Sequence, residues 1–202
     1  MRPRPRAAPA GHPGVRGVYP AAERQFRPWK NGGGQTAEIA VSPAGAGFGD
    51  FDWRISTAIV ATDGPFSCFP DVTRVLTVIE GGAMRLRVSG QVHLLDAASP
   101  PLVFPGDAPC AAELTAGPLL DFNVMIRQPL RATVTRGPLA VPEPGALARL
   151  ALLLEPGAGL EPGARLDRLD LVDLDACAPA LLGKLSDLFA LTVVIHGERE
   201  AA

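Results

Sequence analysis

The chain has 202 residues, 47% hydrophobic and 20% charged, with 22 Gly and 21 Pro. So many turn-formers exclude a long helical bundle, yet they stay below the roughly 25–30% Gly plus Pro of a low-complexity chain. The formal net charge of −2 hides seven basic residues against one acidic in residues 1–30 and an acidic remainder, a balance that speaks against a nucleic-acid partner.

In chain order, residues 1–17 open with Arg-Pro-Arg-Pro-Arg and continue in Ala, Pro and Gly. They cannot bury a core and are expected to form a disordered or polyproline-like tail. Residues 18–202 are the folded part, with about 70% of the extended-chain surface buried at this mass. Trp29-Lys30-Asn31-Gly32-Gly33-Gly34-Gln35-Thr36 contains a tight-turn signal. It fits a plain hairpin turn, or a flap whose backbone N–H groups and Lys30 cap an anion.

From Thr36 onward short strands alternate with Gly/Pro turns. Strands are expected at 37–41, 52–62, 72–80, 84–88, 92–95, 102–104, 111–114, 121–127, 132–135, 148–154 and 166–171. Met84-Arg85-Leu86-Arg87-Val88 alternates with its arginines toward solvent. One helix is expected over 179–189, where Leu181, Leu182, Leu185, Leu188 and Phe189 recur at helical spacing. The fold class is all-β, a sandwich or barrel with a short C-terminal helix.

Cys68, Cys110 and Cys177 are widely spaced without a C-x-x-C pair, so a disulfide framework or structural zinc site is not expected. Cys68 lies between Phe66 and Phe69 and is expected to be a buried, inert thiol. His12, His93 and His196 have no spacing that sets two imidazoles on one ion, so neither metal nor cofactor is expected. No apolar run approaches the ~18 residues of a membrane helix, and no secretory signal opens the chain. The expectation is a soluble, cytoplasmic protein with no membrane partner.

Polar groups inside apolar strands are the informative feature. Arg54 and Ser56 share a face, as do Asp121, Asn123 and Arg127, while Arg74 shares its face with Leu76 and Val78. Facing inward, these guanidinium, amide and hydroxyl groups would suit a small carboxylate. The alternatives are exterior solvated positions, or internal ion pairs such as Asp121 with Arg127.

Trp29-Lys30-Asn31-Gly32-Gly33-Gly34-Gln35-Thr36-Ala37-Glu38-Ile39-Ala40 resembles the opening signature of the HutD/Ves family. Further blocks match in order: Phe51–Ser56, Gly64–Pro70 with Arg74 following, Phe104–Asp107, and Gly117–Met125. The resemblance is strong over 18–127 and rests on length and strand-like character in the C-terminal third. It implies a bicupin, two small cupin-type β-barrels fused in one chain. It also implies an accessory or regulatory role in histidine utilisation, with N-formylglutamate as the ligand suggested for the family.

The site expected on this basis is Lys30, Asn31, Arg54, Ser56, Phe66, Phe69, Arg74 and Asn123, holding a small acidic metabolite. The alternative is a metal-independent cupin enzyme, an isomerase or hydrolase of a small carboxylate or sugar. Asp107, Glu38 or Asp121 would then be its general base. A homodimer through a sheet edge is compatible with either.

Overall fold

The computed structural model describes residues 17–141, 145–157, 159–161 and 164–197, and of 159–161 and 164 only the backbone. The Arg/Pro tail expected at 1–17 lies, but for Gly17, outside the described residues. In chain order the strands are β1 Val18–Tyr19, β2 Arg27–Pro28, β3 Gly34–Ser42, β4 Trp53–Val60, β5 Gly64–Pro65, β6 Val72–Gly81, β7 Met84–Val88, β8 Gln91–Leu95 and β9 Leu102–Pro105. Then follow β10 Cys110–Leu114, β11 Leu119–Arg127, β12 Arg131–Pro138, β13 Ala148–Leu153, β14 Gly159–Glu161, β15 Ala164–Arg165 and β16 Leu171–Asp173. Helix α1 Pro179–Leu185 and β17 Phe189–His196 complete the described order. The protein is mostly β, as its alternating patterns predict.

The chain divides into two compact units, Gln25–Gln128 and the combination of Met1–Arg24 with Pro129–Ala202. The first holds a six-stranded sheet, β2-β3-β4-β11-β6-β9, and a four-stranded sheet, β5-β10-β7-β8, all antiparallel. β7 and β8 join through Ser89-Gly90, whose positive φ values of 46 and 86 make the two-residue turn that suits a twisted hairpin. Arg85 and Arg87 point outward as the alternation predicts, while Met84, Leu86 and Val88 pack inward. The inward residues form one apolar cluster with Val60, Leu76, Val78, Phe104 and Leu119 of the larger sheet. Two faces pressed together over such a cluster are the source of this unit's stability.

The second unit is a five-stranded antiparallel sheet, β1-β16-β13-β17-β12, with a separate β14-β15 pair. Val18 pairs with Val172, which ties the start of the described chain to its C-terminal third. Leu181 and Leu185 of α1 pack into a core with Ala151, Leu153, Val172 and Leu174. Among the described residues each sheet is open, and no pairing closes a strand ring.

Two expected elements differ. Residues 166–170 are not strand: the Asp170 carboxylate accepts from the backbone N–H groups of Asp167 and Ala21, and Leu169 takes φ 70. Side-chain capture of the backbone competes with a sheet ladder there. The helix stops at Leu185, because Ser186 is extended and Asp187 adopts φ 68. Phe189 begins β17 instead.

Candidate functional site

The registers of β4, β11 and β6 place four expected residues, Arg54, Ser56, Arg74 and Asn123, on one face. Asn123 lies opposite Ser56 on one side and Leu76 on the other, while Met125 lies opposite Arg54 and Arg74. Residues directly opposite in an antiparallel sheet project to the same side. That side is the inner face of the Gln25–Gln128 unit, since Leu76, Val78, Leu119 and Phe104 on it belong to the apolar cluster. Glu38 joins from β3, opposite Ser56.

Arg54 and Arg74 are 9% and 7% exposed, so each guanidinium is desolvated and its acidity rises through burial. They have different partners. Arg54 Nη1 lies 2.6 Å from Glu38 Oε2, and its guanidinium sits 4.1 Å from the centre of the Phe48 ring. Arg74 donates from Nη2 to Asn123 Oδ1 at 3.0 Å, and the Asn123 amide in turn donates to Asp121 Oδ1. Rings surround the Arg74 guanidinium, with Phe66 at 5.1 Å, Phe104 at 5.2 Å and Phe69 at 6.0 Å. Such cation–π contacts stabilise a buried cation by about 0.5–2 kcal/mol each. The Arg74 Nε is buried with no hydrogen-bond partner.

Asp121 is 1% exposed. Burial pushes its carboxyl up to about 7, against the pull of Arg74, the Ala58 backbone and Asn123. Cys110, half-buried, is raised by burial and lowered by Arg74. Cationic, amide and carboxyl groups thus meet in a dry apolar surround, where charge interactions are stronger than in water.

Lys30 and Asn31 occupy the exposed tip of the β2–β3 hairpin. The Gly32 N–H donates to the Trp29 carbonyl and the Gly33 N–H to Asn31 Oδ1, so two amides needed for an anion cap are used within the turn. Trp29 anchors this hairpin: its indole donates to Thr36 Oγ1 at 2.7 Å, and its ring meets Phe66 edge-on.

Other expectations need correction. Cys68 is exposed rather than buried, because it sits on the chain between β5 and β6 and not in a strand. Asp107 is exposed in the turn after β9 and not enclosed with the buried polar groups. Arg127 does not pair with Asp121: it donates to the Phe51 carbonyl and lies 5.1 Å from the Phe51 ring. Phe48 and Phe104, absent from the expected set, cover the two arginines. Phe104 belongs to the Phe-Pro-Gly-Asp block and was accessible as a signal; Phe48 lies in a Gly-rich loop with none.

A hollow of about 80 Å3, bordered by Arg85, Arg87, Val92 and Glu113, lies on the small sheet and does not touch the Arg54–Arg74 cluster. Among the described residues no three His, Cys, Asp or Glu side chains are grouped to hold a metal ion. None of the described helices is long and apolar enough to cross a membrane. In the second unit Arg149 is bound by Asp175 at 2.7 Å and offers no comparable open fork.

The HutD family model matches residues 21–178. Protein Ves of Cronobacter sakazakii is 41% identical over 101 residues, 50% of this chain and 54% of that protein. Protein Ves of Citrobacter koseri is 41% identical over 102 residues, 50% of this chain and 52% of its own. The chain therefore spans about half the length of these curated relatives. A structure of HutD from Pseudomonas fluorescens SBW25, in a formate condition, superposes with a TM-score of 0.70 at 27% identity, over 90% of this chain and 98% of that one. A conserved protein of unknown function from Pseudomonas aeruginosa PAO1 gives 0.71 at 27% identity with the same coverage. With the family model matched over most of its length, and structural likeness over 90% of it, the chain belongs to the HutD family.

Proposed function

We propose that this protein is a HutD-like accessory or regulatory protein of histidine utilisation that binds a small acidic metabolite of the N-formylglutamate kind. The guest would lie inside the Gln25–Gln128 unit, and the two units would be divergent cupin-type barrels. One observation carries the binding reading: two buried arginines share an inner face, and Arg74 keeps an unpartnered Nε. A buried donor left unmade costs about 1–3 kcal/mol, and a carboxylate is the acceptor that fits a guanidinium fork.

In this reading Arg74 and Arg54 grip carboxylate oxygens. Ser56 and the Asn123 amide meet the formyl-amide end, and Phe66 and Phe69 form apolar walls. Lys30 and Asn31 act at the entrance, attracting the anion before it is desolvated. The protein binds without metal or cofactor, and its output follows from how much metabolite it holds. Isothermal titration tests this: N-formylglutamate should release or absorb heat and raise Tm. No heat and no Tm change at millimolar concentration reject that ligand.

A second reading has an observation of its own. A carboxyl near 7 beside an amide and a guanidinium suits a general base, and Asp121 has those neighbours. As a metal-independent isomerase or hydrolase, the protein would lose turnover in Asp121→Asn while keeping substrate binding.

A further inference from the structure

We propose that the guest carboxylate enters the Arg54–Arg74 site together with one proton, which Asp121 keeps; this rests on the acidic-guest reading above. The argument is one of charge and place. Asp121 is fully enclosed, so water cannot screen a charge on it. Its positive neighbour is Arg74, reached through Asn123. Arg54 is already engaged by Glu38 at 2.6 Å. A carboxylate that takes the free Nε of Arg74 therefore brings a second negative charge to a cation Asp121 relies on. Two carboxylates sharing one cation in a dry site cannot both stay ionised at little cost, and the buried one takes the proton.

The other charged or titratable groups on this inner face are Arg74 on β6, Arg54 on β4, Glu38 on β3, Cys110 on β10 and His93 on β8, opposite Leu86. Arg54 and Glu38 form a neutral pair, and protonating Cys110 changes nothing below its raised value. His93 is the imidazole on this face, so its replacement serves as the control for Asp121. In the free protein Asp121 is poised at about 7, so a modest added repulsion carries it across neutrality. A proton bound with the ligand makes affinity fall as pH rises, by linkage.

The test uses the full chain, with N-formylglutamate as probe, titrated calorimetrically in phosphate and in Tris from pH 6.5 to 8.5. The expected result is buffer-dependent heat amounting to nearly one proton taken up per guest at pH 8, with Kd weakening toward tenfold per pH unit. Asp121→Asn should bind with buffer-independent heat and a flat Kd, while His93→Gln should behave as wild type. Equal heats in the two buffers with a flat Kd overturn the inference and leave the binding reading standing. Loss of uptake in His93→Gln, or its persistence in a folded Asp121→Asn, also overturns it. No heat at any pH overturns both. Should Asp121→Asn not fold, the wild-type buffer pair and His93→Gln still decide.

Discussion

The Arg74 guanidinium donates to the Asn123 carbonyl oxygen at 3.0 Å, a neutral partner for a buried cation. A carboxylate in that place would have neutralised the charge; an amide leaves it available to a guest. Arg74→Met should therefore abolish titration heat with N-formylglutamate at millimolar concentration. Arg74→Lys, which keeps the charge but loses the fork, should weaken Kd about 10–100-fold. Arg74→Met also removes the cation nearest the buried Asp121 carboxyl, so its Tm should fall more at pH 8 than at pH 5, where that carboxyl is protonated. Unchanged binding in Arg74→Met contradicts the assignment.

Glu38 holds Arg54 at 2.6 Å while its own side chain is 39% exposed. It is an internal competitor for the fork an anionic guest would use. Glu38→Gln should tighten N-formylglutamate binding several-fold, and losing the charged acceptor of a buried guanidinium should cost about 1–3 kcal/mol of stability. Titration calorimetry and urea unfolding measure the two. Weaker binding would mean that Glu38 accepts a hydrogen bond from the guest.

Asp121 also shapes stability. Its native carboxyl stands at about 7, above its ordinary value of 3.8, so between these values the folded state binds more protons than the unfolded one. Stability then falls as pH rises from about 4 to 7 and levels off above that. Asp170, raised in the same direction by burial, adds a slope of the same sign. Comparison with Asp121→Asn isolates the Asp121 share: the variant should gain on the order of 1–4 kcal/mol over wild type at pH 8 and little at pH 4. Thermal melts across pH check it, and parallel curves would contradict the desolvation of Asp121.

The hairpin that carries Lys30 and Asn31 depends on Gly34. A Cβ there would come 2.3 Å from the Ile59 carbonyl oxygen and 3.0 Å from the Trp29 ring. Gly34→Ala should cost roughly 1–3 kcal/mol in urea unfolding. Gly32, at φ +72 but with open space around it, should accept Asn for less than about 1 kcal/mol.

Much of this architecture is legible from alternation alone. Met84–Val88 appears as a strand with the expected bounds, and the shared face of Arg54 and Ser56 follows from a period of two. The same period unites Asp121 with Asn123. Which face turns inward depends on a second sheet whose pairing no local pattern encodes. For that reason Arg127, in phase with Asp121, goes to the Phe51 carbonyl, and Phe48 reaches Arg54 from a loop. Leu166–Asp170 has strand-like composition, but the Asp170 side chain takes the hydrogen bonds a ladder would need. Cys68 sits among aromatics in sequence and in solvent in space, because its segment crosses between strands.

The most direct test is a crystal structure of the protein soaked with N-formylglutamate. The account predicts carboxylate density within hydrogen-bond reach of Arg74 Nε and of the Arg54 guanidinium, on the inner face between the two sheets. A guest bound elsewhere, or an occupied inner face in which neither arginine meets a carboxylate, would contradict it.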